Sequence, residues 1–288
     1  MSTPRQGEVR CLSRAGFHTV RYTDWGAADN PRVLLCLHGL TRVGSDFSRL
    51  AQAMSDRYRV VCPDVVGRGR SDWLADPTLY GLPQYCFDAA SLIARLDVPQ
   101  VDLLGTSMGG LIGLSLAGQP NTPIGRLILN DVGPRMELAA LVRIAQYVGR
   151  PMPFASLEQA VQYVQSISTG FGLRTPEHWR ELTESVMRQD GADWTFRYDP
   201  GIALALQGTS AETNALAEAK LWELYEAIRG PVLLLRGAES DLLSGATAAE
   251  MTQRGPRAEL VEIPSVGHAP MFFEPEQIAL VRRFLLGA

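Results

Sequence analysis

Cysteine is scarce in this chain. Cys11, Cys36, Cys62 and Cys86 are too few and too scattered among 288 residues for a disulfide framework or a paired metal-ligand motif. Cys36 and Cys62 lie inside apolar runs, where the thiol serves as a small buried hydrophobe, and all four are expected reduced. Basic charge is not in excess either. The 27 Lys and Arg against 31 Asp and Glu leave a formal charge of -4, with no basic stripe to follow a phosphate backbone, so nucleic acid is excluded as a partner. No apolar run approaches the ~18 residues of a membrane span, and the opening MSTPRQGEVR has no apolar h-region. There are no tandem repeats and no low-complexity linker. These absences leave a cytoplasmic enzyme or binding protein for a small molecule, with no membrane partner and no bearing on oligomeric state.

Short apolar runs are what the chain does have. VLLCL from Val33, YRVVC from Tyr58, VDLLG from Val101, RLILN from Arg126, VLLLRG from Val232 and AELVEI from Ala258 are apolar on consecutive residues, the mark of strands buried on both faces of a mostly parallel sheet. Helical stretches alternate with them: Gly44 to Asp56, Pro83 to Leu96, Ser107 to Gly118, Ser244 to Arg254 and Pro275 to Leu286. This alternation predicts an α/β doubly wound architecture, with FHTVRYTDW contributing to an antiparallel hairpin at one edge.

From Asp131 to Pro231 the strand rhythm stops and amphipathic helices replace it, starting near Glu137, Ser156, Thr175 and Ala211. Ser156 with Gln159 has the spacing of a capping box. Thr175 before Pro176 starts the next helix, and Gly191 after Asp190 ends it. Residues 134–225 are therefore read as a helical cap inserted into a core built from residues 1–133 and 226–288.

In an open parallel sheet, functional groups collect just beyond the carboxyl ends of the strands. That rim holds His38-Gly39-Leu40, Asp64, Ser107, Asp131, Asp241 and His268. Ser107 is the centre of Gly105-Thr106-Ser107-Met108-Gly109, a G-x-S-x-G between a strand and a helix, where small neighbours let a sharp turn lift the hydroxyl clear of the chain. A serine hydroxyl needs a base. Of the four histidines, His18 falls in the hairpin, His178 in the cap and His38 at a strand end where it shapes a loop, which leaves His268 in PSVGHAPMF. The imidazole in turn needs a carboxylate. Asp241, 27 residues before His268 and in the loop after the preceding strand, is preferred, with Asp131 and Glu239 as rivals. The oxyanion donors are expected to be the backbone N–H groups of Met108 and Leu40.

The set LHGL, PDVVGRGRSD, GTSMGG, RGAESD and GHAP, in this order, resembles the α/β-hydrolase fold superfamily in its cap-bearing serine hydrolase branch, from about Pro31 to Leu286. The resemblance implies a mostly parallel, eight-stranded-type sheet flanked by helices. It also implies Ser107 as nucleophile, His268 as base, Asp241 as acid and Leu40 and Met108 as oxyanion amides, with no metal or cofactor. Asp64 to Asp72 resembles the family's D-x-x-G-x-G-x-S loop, a structural support. Serine at position 107 argues against haloalkane dehalogenases and epoxide hydrolases, which carry aspartate there. GTSMGG is also similar to the elbow of meta-cleavage-product hydrolases, but those often have tryptophan after the histidine, where this chain has Ala269. The leading expectation is hydrolysis of a carboxylic ester with a small to medium apolar acyl group. Carbon–carbon hydrolysis comes second, lactone opening third, and a ligand receptor on the same fold is the non-enzymatic alternative.

Overall fold

The computed structural model describes residues 3–150 and 152–287. The chain opens with strands β1 (Arg5–Ser13) and β2 (Gly16–Trp25), followed by β3 (Val33–Leu37), helix α1 (Ser48–Met54), β4 (Arg59–Pro63), α2 (Leu82–Leu96), β5 (Val101–Thr106), α3 (Met108–Ala117) and β6 (Ile124–Asn130). Helices α4 (Leu138–Ala145), α5 (Leu157–Ile167) and α6 (Pro176–Val186), the strand pair β7 (Met187–Asp190) and β8 (Asp193–Phe196), and α7 (Ala211–Ala227) then intervene. The chain returns through β9 (Val232–Gly237), α8 (Gly245–Met251), β10 (Glu259–Ile263) and α9 (Pro275–Leu286).

The eight-stranded sheet has the order β1-β2-β4-β3-β5-β6-β9-β10. It is parallel from β4 to β10, while β1 and β2 join one edge antiparallel. All six apolar runs are strands of this sheet. Their lack of alternation has a direct cause in β3: Val33, Leu35 and Leu37 face a cluster with Leu92 of α2 and Ile112 of α3, while Leu34 and Cys36 face one with Leu50 of α1 and Val281 of α9. Each fully buried aliphatic side chain there contributes roughly 1.5–3 kcal/mol over its exposed state. The AELVEI run is the exception to double burial. As β10 it is the far edge strand, and only Ile263 is buried.

The segment between β6 and β9 departs from expectation in two places. The helix expected to run from Thr175 to Gly191 ends at Val186, and Met187–Asp190 pairs antiparallel with Asp193–Phe196. Gly191, at φ 62°, is a hairpin turn and not a helix stop. Tertiary packing overrides helix propensity here: Met187 and Val186 are buried with Phe154 and Leu182, and Phe154 bridges to Trp194. The capping box also moves. Ser156 accepts from the Gln159 N–H, but Gln159 Oε1 reaches back to the Ala155 N–H, whereas Ser210 and Thr213 form the reciprocal box on α7. Helix α7 packs on α3, with Leu221, Trp222 and Tyr225 in the main core. Among the described residues no helix is long and apolar enough to cross a membrane.

Candidate active site

Ser107 stands at the turn from β5 into α3 with φ 52° and ψ −117°, a left-handed conformation in which a side chain is strained. The turn persists because its neighbours lack side chains. A Cβ on Gly105 would come within 2.2 Å of the Gly109 carbonyl oxygen, and one on Gly109 within 2.0 Å of the Leu37 carbonyl oxygen. Both obstacles are backbone, so neither yields by a rotamer change. Gly109→Ala is therefore expected to cost about 3 kcal/mol or more by forcing β3 and α3 apart. Urea unfolding checks this; a variant as stable as the parent would show that the contact relaxes freely.

His268, in the loop after β10, brings its Nε2 to 2.9 Å from Ser107 Oγ. Its Nδ1 lies 2.7 Å from Oδ2 of Asp131. The acid expected from sequence, Asp241, does not occupy that position. It lies in the loop after β9 with 51% of its side chain exposed, paired with Arg143 at 2.7 Å. Asp131 reaches His268 because it follows β6 immediately and turns at φ 55°, directing its side chain beneath the imidazole. There the carboxylate is fully buried: Oδ1 accepts from the Gly237 N–H at 2.8 Å and Oδ2 from the Ser240 hydroxyl at 2.6 Å. The loop expected to supply the acid thus supplies donors to it. Asn130 braces the same corner, its Nδ2 donating to Thr106 Oγ1 and to the Pro270 carbonyl. Glu239, the other rival, donates its backbone N–H to the Val266 carbonyl and lines an outer cleft.

Leu40 occupies the second position of a turn closed by the Arg42 N–H on the Gly39 carbonyl, and Met108 is the first residue of α3. Neither N–H donates to an acceptor among the described residues, so both can donate to a group bound beside Ser107. Sequence reading did not single out Arg68, inside the D-x-x-G-x-G-x-S loop, yet it supports both. This wholly buried guanidinium donates to the Leu40 carbonyl at 2.8 Å, the Val66 carbonyl at 2.7 Å and the Tyr85 hydroxyl at 2.9 Å, and approaches Met108 Sδ at 3.6 Å. A buried arginine is rare enough to be a signal only once its burial is known.

His38 holds the same loop. Its Nε2 accepts from the Val65 N–H at 2.9 Å, so Nδ1 carries the proton it donates to the Gly39 carbonyl at 2.7 Å. Complete burial pushes this imidazole down from 6.5 to about 4. Because the unfolded chain binds the proton more readily, the stability His38 contributes is complete above pH 6.5 and is lost as pH falls towards 4. Between pH 7.5 and 5 this amounts to about 2 kcal/mol. Urea unfolding at those two pH values should show a correspondingly smaller loss for His38→Gln than for the parent; equal losses would assign the acid sensitivity elsewhere.

Ser107 and His268 open into a chamber whose walls are largely apolar: Ile144, Val148, Val164, Phe171, Phe196 and Met271 contribute, most of them from the segment between β6 and β9. Elsewhere, Cys11, His18 and Asp88 bring potential ligand atoms within 4.8 Å of one another. Asp88 is already engaged, by His18 Nε2 at 2.9 Å and Gln84 Nε2 at 2.7 Å, and burial pushes the Cys11 thiol up to about 12. This set fastens the β1–β2 hairpin to α2.

Comparison with known proteins identifies the family. The model of the Alpha/beta hydrolase family matches residues 34–280. A 3-hydroxybutyrate-oligomer hydrolase from Cupriavidus necator is 51% identical, covering 100% of this chain and 99% of the relative. Among solved structures, an alpha/beta hydrolase from Novosphingobium aromaticivorans superposes with a TM-score of 0.87 at 34% identity, and a putative hydrolase from Rickettsia typhi with 0.88 at 27%; each covers 100% of both chains. The chain belongs to the alpha/beta hydrolase family and is a hydrolase.

Proposed function

We propose that this hydrolase is a serine esterase cleaving short 3-hydroxybutyrate oligomers through an acyl-enzyme on Ser107. The observation that carries the reading is the unbroken line from Ser107 Oγ to His268 Nε2 at 2.9 Å and from His268 Nδ1 to Asp131 Oδ2 at 2.7 Å, beside an apolar chamber. The substrate class rests on the Cupriavidus necator relative, which matches over the full length of the chain.

In this reading His268 accepts the Ser107 proton as Oγ attacks the ester carbonyl, and Asp131 holds the tautomer and stabilises the imidazolium that forms. The Leu40 and Met108 amides receive the oxyanion. Collapse releases the alcohol, which takes its proton from His268. Water, deprotonated by the same nitrogen, then frees the acid. The cycle needs only the chain's own side chains and backbone amides, and water. Residues 134–225 serve as the cap, and its apolar walls suit the methyl-bearing backbone of a hydroxybutyrate chain.

The test is a turnover panel: 3-hydroxybutyrate dimer and trimer, p-nitrophenyl esters of increasing acyl length, an enol-lactone and a vinylogous diketone. The oligomers are expected to give the highest kcat/KM. Preference for the diketone would establish the carbon–carbon reading instead, preference for the lactone the lactonase reading, and no turnover of any of them would overturn the esterase.

A further inference from the structure

We propose that Arg143 is the anchor for the free carboxylate of the substrate's leaving group, so that the enzyme removes hydroxy acid units from the carboxyl end of an oligomer; this rests on the esterase reading above.

The geometry assigns a side to each half of the ester. The departing alcohol must take its proton from His268 Nε2, so it lies on the His268 side of Ser107. An outer cleft adjoins the chamber there, sharing His268 and Arg143 with it and lined also by Asp241 and Glu239. In a 3-hydroxy acid ester the alcohol of the last linkage is itself a hydroxy acid. Its carboxylate stands one methylene beyond the carbinol carbon, placed to enter this cleft while the acyl half fills the apolar chamber.

Two arginines line the chamber, and only one can receive an anion. Arg42 is nearly buried and committed: Nε and Nη2 donate to the two oxygens of Asp46 at 2.7 Å each, and Nη2 also reaches the Leu182 carbonyl. Arg143, on α4, is 44% exposed, and its Nε and Nη2 converge on a single oxygen of Asp241, itself 51% exposed. Such a solvent-facing pair is weak and exchanges readily for another carboxylate that brings its own apolar contacts. Glu239 shares the cleft, so selection for an anion comes from the directed guanidinium contact and not from a general positive field. Asp241 then acts as the resting counter-ion that a substrate carboxylate displaces. This accounts for a carboxylate that lies beside the active site without touching His268.

In the acylation step the Ser107 Oγ–carbonyl bond forms, the carbonyl–alkoxy bond breaks, and the alkoxy oxygen leaves with the proton from His268 as free 3-hydroxybutyrate held at Arg143. The experiment compares kcat/KM for the 3-hydroxybutyrate dimer with that for its methyl ester, which lacks the charge. The ratio of acid to methyl ester is expected to fall by about ten-fold or more in Arg143→Gln and to recover in part in Arg143→Lys. It should fall with added salt in the parent but not in Arg143→Gln. Circular dichroism and thermal melting of the variants separate a lost anchor from a lost fold. Cleavage of both esters with a ratio indifferent to Arg143→Gln overturns the anchor and leaves the esterase standing. Cleavage of neither by the parent, alongside turnover of a p-nitrophenyl ester, overturns the hydroxybutyrate substrate and the anchor with it.

Discussion

Asparagine at position 131 is expected to lower kcat by about four orders of magnitude on a neutral ester. The reason is local. The Asp131 carboxylate accepts at once from His268 Nδ1, the Gly237 N–H and the Ser240 hydroxyl. An amide has one oxygen where this corner uses two, and turning its NH2 towards His268 would favour the tautomer with the proton on Nε2, leaving no lone pair for the Ser107 proton. Asp241→Asn removes an exposed ion pair, and its effect is expected to stay within about ten-fold. Steady-state kinetics on both variants, with circular dichroism to show that each folds, decides the matter. A four-order loss in Asp241→Asn with Asp131→Asn near the parent would return the acid to the loop after β9.

Ser107→Ala carries the largest effect, a loss in kcat of about 10⁶-fold. In the proposed esterase the Ser107 hydroxyl forms the acyl-enzyme, and without it His268 can do no more than activate water from a position set for a different attack. The remaining turnover would come from the oxyanion amides and from binding. The variant should fold normally, since alanine removes one oxygen from a side chain whose hydrogen-bond partner among the described residues is His268. A fluorophosphonate should label the parent at Ser107 and leave Ser107→Ala unlabelled. Labelling of the alanine variant, or turnover within ten-fold of the parent, would show that another nucleophile does the work.

The serine and the histidine were legible in the sequence for reasons of short range. A nucleophile lifted on a turn needs glycines two positions either side, and the collisions at Gly105 and Gly109 with backbone oxygens show why no other residue would serve. The strands were legible because a sheet covered on both faces must place apolar side chains on both, as β3 does with Leu34 and Leu35. The doubly wound order follows from that alternation.

The carboxylate that faces His268 was not legible, because two aspartates followed neighbouring strands and both satisfied the pattern. The choice between them rests on backbone direction after β6, where Asp131 turns left-handed at φ 55°, and on which loop offers donors: Gly237 and Ser240 face Asp131, while Asp241 points outward to Arg143. Arg68 was hidden for the same reason, since an arginine in a glycine-rich loop reads as solvated until the packing around it is known. The β7–β8 hairpin was hidden because its strands have four residues each and are held by Phe154, from a distant part of the chain. Sequence alone determined what depends on neighbours within a few residues: strands, helices, the elbow, and the candidate pair Ser107 and His268, which the structure brings to 2.9 Å. Only the tertiary structure decided which carboxylate, 137 residues from His268, completes the line, because that depends on how loops from different strands converge on one rim.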